Sequence, residues 1–164
     1  SVSDDNEIIS IEGMSPKLLK FADALQTLLK KLSNHVDEVV FRDLWKSMAV
    51  AVNASMFNDV ATEALFSQHG AKQFEVDVMG LMAVFGVHTN RPRACFKECL
   101  DAVRLLVMSE EEVMVLKSEL LDGVSRGNSG GGGTGDGVKG VLSRKGVKSL
   151  NGEQVLRVLE GQRL

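Results

Sequence analysis

Two cysteines and a nearby histidine are the side chains whose type and spacing best suit chemistry in this sequence. Cys95 and Cys99 stand four residues apart, which places both sulfurs on one face of a helix, and His88 lies a short way upstream. Such a set can offer ligands to a metal or form a Cys–His nucleophilic pair. A structural zinc site needs four ligands, however, and the other histidines, His35 and His69, are isolated. We therefore favour free thiols packed in a helical core, with a small helical metal- or thiol-dependent enzyme as the alternative.

The remaining polar clusters have structural explanations. Glu110, Glu111 and Glu112 follow Ser109, and the pair Ser109 and Glu112 matches a capping box that begins a helix. The glycine run after residue 123 lacks the Gly-Lys-Ser/Thr ending of a phosphate-binding loop. The sequence therefore predicts no catalytic residue, no cofactor and no bound metal.

Charge is divided along the chain, whose net charge is −3. Residues 1–137 hold 13 Lys and Arg against 20 Asp and Glu, whereas residues 138–164 hold 6 against 2. A basic tail can contact nucleic acid or anionic lipid, but this tail has no aromatic residue for base stacking and the body is acidic. We therefore expect the tail to dock against the body, and we predict no nucleic-acid partner.

Hydropathy gives no sign of membrane insertion. No apolar run approaches the roughly 18 residues that span a bilayer, and the N-terminal residues lack the features of a signal peptide. Together with two free cysteines, this predicts a cytoplasmic chain. It begins with Ser1 instead of Met, so we expect a piece of a larger protein.

Apolar periodicity predicts five helices that would position these side chains. The first begins at Ser15 and Pro16 and carries a leucine stripe to about Leu32. The second runs from about Val36 to Met56, with Val39, Val40 and Leu44 on its apolar face and Trp45 as either a core anchor or an interface residue. The third helix is expected at about 67–86, the fourth from Pro92 onward and the fifth from Ser109 to Gly123.

Glycine content then marks a change of character, since nine of sixteen glycines lie between residues 123 and 140. We interpret this stretch as a linker, followed by a short helix at about 152–160 capped by Asn151. The predicted division is a flexible lead-in at 1–14, a helical bundle at 15–122, a linker at 123–140 and a basic tail at 141–164. The expected fold class is all-α, with an antiparallel bundle of about five helices.

A spaced set of residues between 66 and 106 resembles the C-terminal region of the RINT/TIP family. These proteins, called MAIGO-type in plants, are subunits of the Dsl-type or NRZ tethering complex. The resemblance covers roughly Leu18 to Leu121. The residues that carry it in order are Phe66, Gly70, Gln73, Phe74, Asp77, Arg91, Pro92 and Phe96.

The resemblance implies a non-enzymatic helical tether that is peripheral on the cytosolic face of the endoplasmic reticulum (ER). Such proteins capture retrograde vesicles from the Golgi, together with other tether subunits and ER SNARE proteins. The matched residues are expected to be structural. Gly70 suits a tight helix approach, Gln73 and Asp77 suit hydrogen bonds to a neighbouring helix end, and Arg91 with Pro92 sets a turn.

Overall fold

The computed structural model describes residues 13–127 and 134–162, with side chains at 13–122 and 137–162. Within these ranges there is no β-strand, only an isolated parallel bridge between Phe66 and Gln162. The all-α fold with a short C-terminal helix is therefore confirmed. The helices are α1 (Pro16–His35), α2 (Glu38–Ser55), α3 (Gln68–Gly86), α4 (Lys97–Leu106), α5 (Glu110–Gly127), α6 (Thr134–Arg144) and α7 (Gly152–Glu160).

The first helix begins where the sequence predicts, with proline in its first turn, where the missing N–H leaves no bond unmade. It buries Ala22, Leu25 and Leu29 against α3 and α2. Most of the predicted lead-in, residues 1–12, lies outside the described residues. Met14, just inside them, is buried.

The second helix is rotated relative to the prediction. Its buried side chains are four residues apart: Trp45, Ala49 and Asn53. The predicted apolar face was wrong for three exposed side chains: Val39, Val40 and Leu44. A buried indole removes more apolar area from water than a valine or leucine does, and the Asn53 amide bonds to α4. These two contacts fix which face of the helix points inward, and Trp45 is a core residue.

A π-helical segment, Met56–Ala61, continues α2 and leads into the connection to α3. The third helix is the centre of the core, and five of its side chains are fully buried: Val78, Leu81, Met82, Val84 and Phe85. The predicted helix start at Pro92 is instead a 3-10 turn, Pro92–Cys95, and α4 follows at Lys97. Phe96 lies between the two, and its ring sits 5.9 Å from that of Phe85.

The predicted linker contains helical residues at both ends. The fifth helix continues past Gly123 to Gly127, and α6 occupies residues 134–144 and packs against α5. Val141 and Leu142 are buried, whereas Gly137 and Gly140 face open space. Tertiary packing of an apolar stripe thus outweighs the poor helix propensity of glycine. Residues 128–133 lie outside the described residues, and the predicted domain division stays a prediction.

The tail docks against the body, as expected, but chiefly through apolar packing. Helix α7 lies against α4 and buries Val155, Val158 and Leu159. Burying such side chains contributes about 1.5–3 kcal/mol each. The ion pairs of the described residues do not join the tail's lysines and arginines to carboxylates of the body. Across the ranges described, no helix combines the length and the hydropathy needed to cross a membrane.

Candidate functional site

Two of the family-motif residues fasten the start of α1 to the middle of α3. The buried Asp77 carboxylate accepts the Ser15 backbone N–H at 2.6 Å and the Gln73 amide at 3.1 Å. The same Gln73 nitrogen donates to the Gly13 carbonyl oxygen at 2.9 Å. Gln73 and Asp77 thus bond to a neighbouring helix end, and they fix where α1 begins.

The same junction contains a glycine whose role the sequence did not reveal. A Cβ atom on Gly80 would overlap the thioether of Met14, which is buried against α3. Gly80 is therefore the close-approach glycine of this region. Gly70 is not, because a Cβ there would lie 3.5 Å from the Ser67 hydroxyl and 3.7 Å from Phe66, ordinary contact distances. Its N–H instead bonds to the Ser67 hydroxyl, which caps α3.

A second pair of motif residues joins the α2–α3 connection to the C-terminal end. The rings of Phe66 and Phe74 pack edge to face at 5.4 Å, and the Phe66 N–H donates to the Gly161 carbonyl oxygen at 2.7 Å. A Cβ on Gly161 would come within 2.5 Å of the Ala64 oxygen. Gln162 then donates to the carbonyl oxygens of Leu106 and Met108. Residues 161 and 162 are thereby joined to the bundle.

The remaining motif residues lie at the α3–α4 connection. Arg91 is exposed, and its backbone N–H donates to the Thr89 hydroxyl at 3.1 Å. Pro92 lies beside Gly86, and Phe96 is fully buried. The eight motif residues therefore occupy three separate junctions of the bundle and do not converge on one cleft.

Two of the candidate side chains, His88 and Cys99, contact different parts of α2. The His88 ring lies 5.1 Å from the Phe41 ring and 6.4 Å from the Trp45 ring, and burial lowers the pKa of His88. The Cys99 thiol donates to the Asn53 carbonyl oxygen at 3.3 Å. Burial, followed by the nearby Glu98 charge, raises the pKa of Cys99 to about 12. This thiol therefore stays protonated at neutral pH and is a poor nucleophile or metal ligand.

The cysteines themselves are free, with Cys99 buried and Cys95 partly exposed in the 3-10 turn. Among the residues whose side chains are described, no three His, Cys, Asp or Glu groups are placed to hold a metal ion. The arrangement instead connects α2 to α4. The Asn53 amide donates to Glu98 at 2.6 Å and its oxygen accepts the Cys99 N–H at 3.3 Å.

A buried carboxylate performs a similar task for the tail. Asp101, which is 2% exposed, accepts the backbone N–H groups of Lys148 and Ser149 at 2.9 and 2.6 Å. Arg104 bonds to Asp101 and to the Gly146 carbonyl oxygen, both at 2.9 Å. Gly146 has a φ of 77°, which suits glycine at this turn. No local signal in the sequence indicates this set of bonds, because its partners are more than 40 residues apart.

Among the described residues, half of the exposed large apolar side chains lie on the first two helices. Phe21 and Leu28 lie on one flank of α1, and Val40 and Leu44 lie on one flank of α2. All four are between 38% and 51% exposed. These side chains are accessible for contact with another protein.

Comparison with known proteins identifies the family. A profile of the RINT-1/TIP-1 family matches residues 1–162. The RINT1-like protein of Drosophila melanogaster is 28% identical over 148 residues, 90% of this chain and 19% of that protein. The RINT1-like protein MAG2 of Arabidopsis thaliana is 26% identical over 116 residues, 70% of this chain and 14% of that protein. The chain thus spans less than a fifth of these relatives' length.

No solved structure shows significant similarity to the chain. The family match nevertheless includes all three junctions formed by the motif residues. The chain belongs to the RINT-1/TIP-1 family.

Proposed function

We propose that this chain is a non-enzymatic interaction domain of a vesicle-tethering subunit that acts in retrograde transport from the Golgi to the ER. The observation that supports this most strongly is the family match over residues 1–162. The proposed role is that of the segment of the longer relatives that aligns with this chain. The hydrogen bonds and ring contacts that the motif residues make support a structural role for these residues.

The proposed partners are other tether subunits and ER SNARE proteins, with the chain peripheral on the cytosolic face of the ER membrane. Exposed apolar side chains on α1 and α2 support a protein-binding role. The acidic body, with 20 Asp and Glu against 13 Lys and Arg in residues 1–137, opposes nucleic-acid binding.

The absence of enzymatic activity is supported by how the candidate groups are used. The Cys99 thiol bonds to a backbone carbonyl and is held protonated, and the His88 ring packs against aromatic rings. Neither group is placed to activate the other among the described contacts. No observation favours the thiol- or metal-dependent enzyme as a second function.

Affinity capture from detergent-solubilised ER membranes tests the proposal. Deleting the tail is unsuitable, because α7 and Gly161 complete the core. The test variant is Val40→Ser with Leu44→Ser, and the control is Val87→Ser with Val107→Ser, all at exposed positions. We expect the native chain and the control to recover tether subunits and ER SNAREs, and the α2 variant to recover less. Recovery of neither class by the native chain would contradict the proposal.

A further inference from the structure

The C-terminal part of the chain contains a groove that the motif residues do not form. It lies between α6 and the segment that leads into α7, and its volume is about 620 Å³. This is within the range of roughly 300–1,000 Å³ typical of binding pockets. We call it the α6–α7 groove, and its apolar lining consists of Val138, Leu142, Val147 and Leu150.

The polar lining of the α6–α7 groove is positively charged. Lys139 lies on α6 and Lys148 on the opposite side, and both residues are exposed. Among the residues whose side chains the structure describes, no Asp or Glu lines the groove. Among the described residues, neither lysine takes part in an ion pair, because the pairs present join other side chains.

The walls of the groove are held in place without a ligand. Asp101 binds the N–H groups of Lys148 and Ser149, which fixes one wall to α4. Asn151 and Gln154 form a reciprocal capping box that fixes the start of α7. Because the groove is preformed, little conformational entropy is lost when it is filled.

We propose that the α6–α7 groove binds a short acidic segment of a partner protein. An apolar side chain of that segment enters the groove, and flanking carboxylates pair with Lys139 and Lys148. The charge of the groove determines this choice, because a positively charged rim around an apolar base complements an acidic and apolar segment. The proposal rests on the proposed function only in that the chain binds proteins.

The shape of the groove favours a peptide over a membrane surface. Leu142, Val147 and Leu150 are 2%, 1% and 6% exposed, so they lie at the base of a concave site. A flat bilayer can reach the lysines but cannot insert acyl chains past them to this base. A peptide side chain can do so, which makes a protein segment the better match.

Selection of phage-displayed random 12-residue peptides on the 164-residue chain tests this directly. We expect enriched peptides to carry net negative charge and at least one large apolar residue. Synthetic versions are then measured by fluorescence anisotropy, and NMR amide shifts are followed at Leu142, Val147 and Leu150. The variant Lys139→Glu with Lys148→Glu should weaken binding at least tenfold.

The matched control is Lys17→Glu with Lys20→Glu on α1, which changes net charge equally at exposed residues. It should bind the peptides like the native chain, and circular dichroism verifies that both variants fold. Failure to enrich acidic peptides, or equal weakening by both variants, would overturn the groove proposal. So would binding of phosphatidylserine vesicles, but not peptides, through the two groove lysines. The two proposals can fail separately. If the groove proposal fails and the Lys139 and Lys148 variant still captures tether subunits as the native chain does, the proposed function stands.

Discussion

Replacing Asp101 by alanine should destabilise the chain more than any exposed carboxylate substitution. The carboxylate is 2% exposed and accepts two backbone N–H groups from the tail, those of Lys148 and Ser149. Hydrogen bonds to a charged group contribute about 1.5–3 kcal/mol each. Lys148 is exposed and Ser149 partly so, and water therefore reaches these amides after the substitution, which favours the lower end of that range.

Two such bonds give an expected loss of about 3 kcal/mol in the free energy of unfolding. The Asp101–Arg104 ion pair adds about 0–1 kcal/mol, because the Arg104 side chain is 50% exposed. Asp101→Asn should lose less than Asp101→Ala, since it keeps one acceptor oxygen. Urea unfolding followed by circular dichroism measures these values.

Hydrogen exchange separates this local effect from general destabilisation. The amides of Lys148 and Ser149 should exchange faster in Asp101→Ala than in the native chain. This is measured without denaturant, where the amides of α4 stay protected. The control is Asp43→Ala, whose carboxylate is 72% exposed and should change stability by no more than about 0.5 kcal/mol. A loss below about 1 kcal/mol in Asp101→Ala, with unchanged exchange at both amides, would refute the reasoning.

Two further predictions concern the Met14 junction and the buried thiol. Gly80→Val should lower the free energy of unfolding by about 1–3 kcal/mol, because its side chain must displace Met14. The loss should be smaller in a Met14→Ala background. Additive effects of the two substitutions in urea unfolding would contradict this contact. Because burial raises the pKa of Cys99 from its ordinary value of 9.0 to about 12, the folded chain binds this proton more tightly. The free energy of unfolding should therefore fall as pH rises from about 9 towards 12, less steeply in Cys99→Ala, and equal slopes would disprove the assignment.

Local signals in the sequence predicted the starts of three helices, α1, α5 and α7. Proline in the first turn of α1, the Ser109 and Glu112 pair and the Asn151 cap each act within four residues of the helix they begin. Such signals are legible because the groups that bond are neighbours in the chain. The apolar stripes of α1 and α3 were also predictable, because their residues recur at short spacings along the chain.

The features that the sequence did not reveal depend on distant partners. The inward face of α2 follows from Trp45 and from the bond between Asn53 and Glu98, 45 residues away. Helix α6 forms in a glycine-rich stretch because α5 and α7 cover its apolar stripe. Propensity favours a coil at residues 134–140, and only the packed neighbours reverse it.

The resemblance to the family singled out Gln73 and Asp77, which bond to the start of α1, but the sequence did not locate the α6–α7 groove. The groove brings together α6 and the segment before α7, and the bond from the Lys148 N–H to Asp101 ties that segment to α4. Charge division along the chain was its sole sequence signal.

Retrograde transport in Drosophila cells depleted of the RINT1-like protein tests the proposed role most directly. The rescue proteins are the intact relative, the relative without the 148-residue segment that aligns with this chain, and the relative with this chain in its place. Return of a fluorescent reporter from the Golgi to the ER is measured at equal expression. We predict that the deletion fails and that the exchanged protein restores transport. Full transport by the deletion, or none by a folded exchanged protein, would contradict a tethering role for this domain.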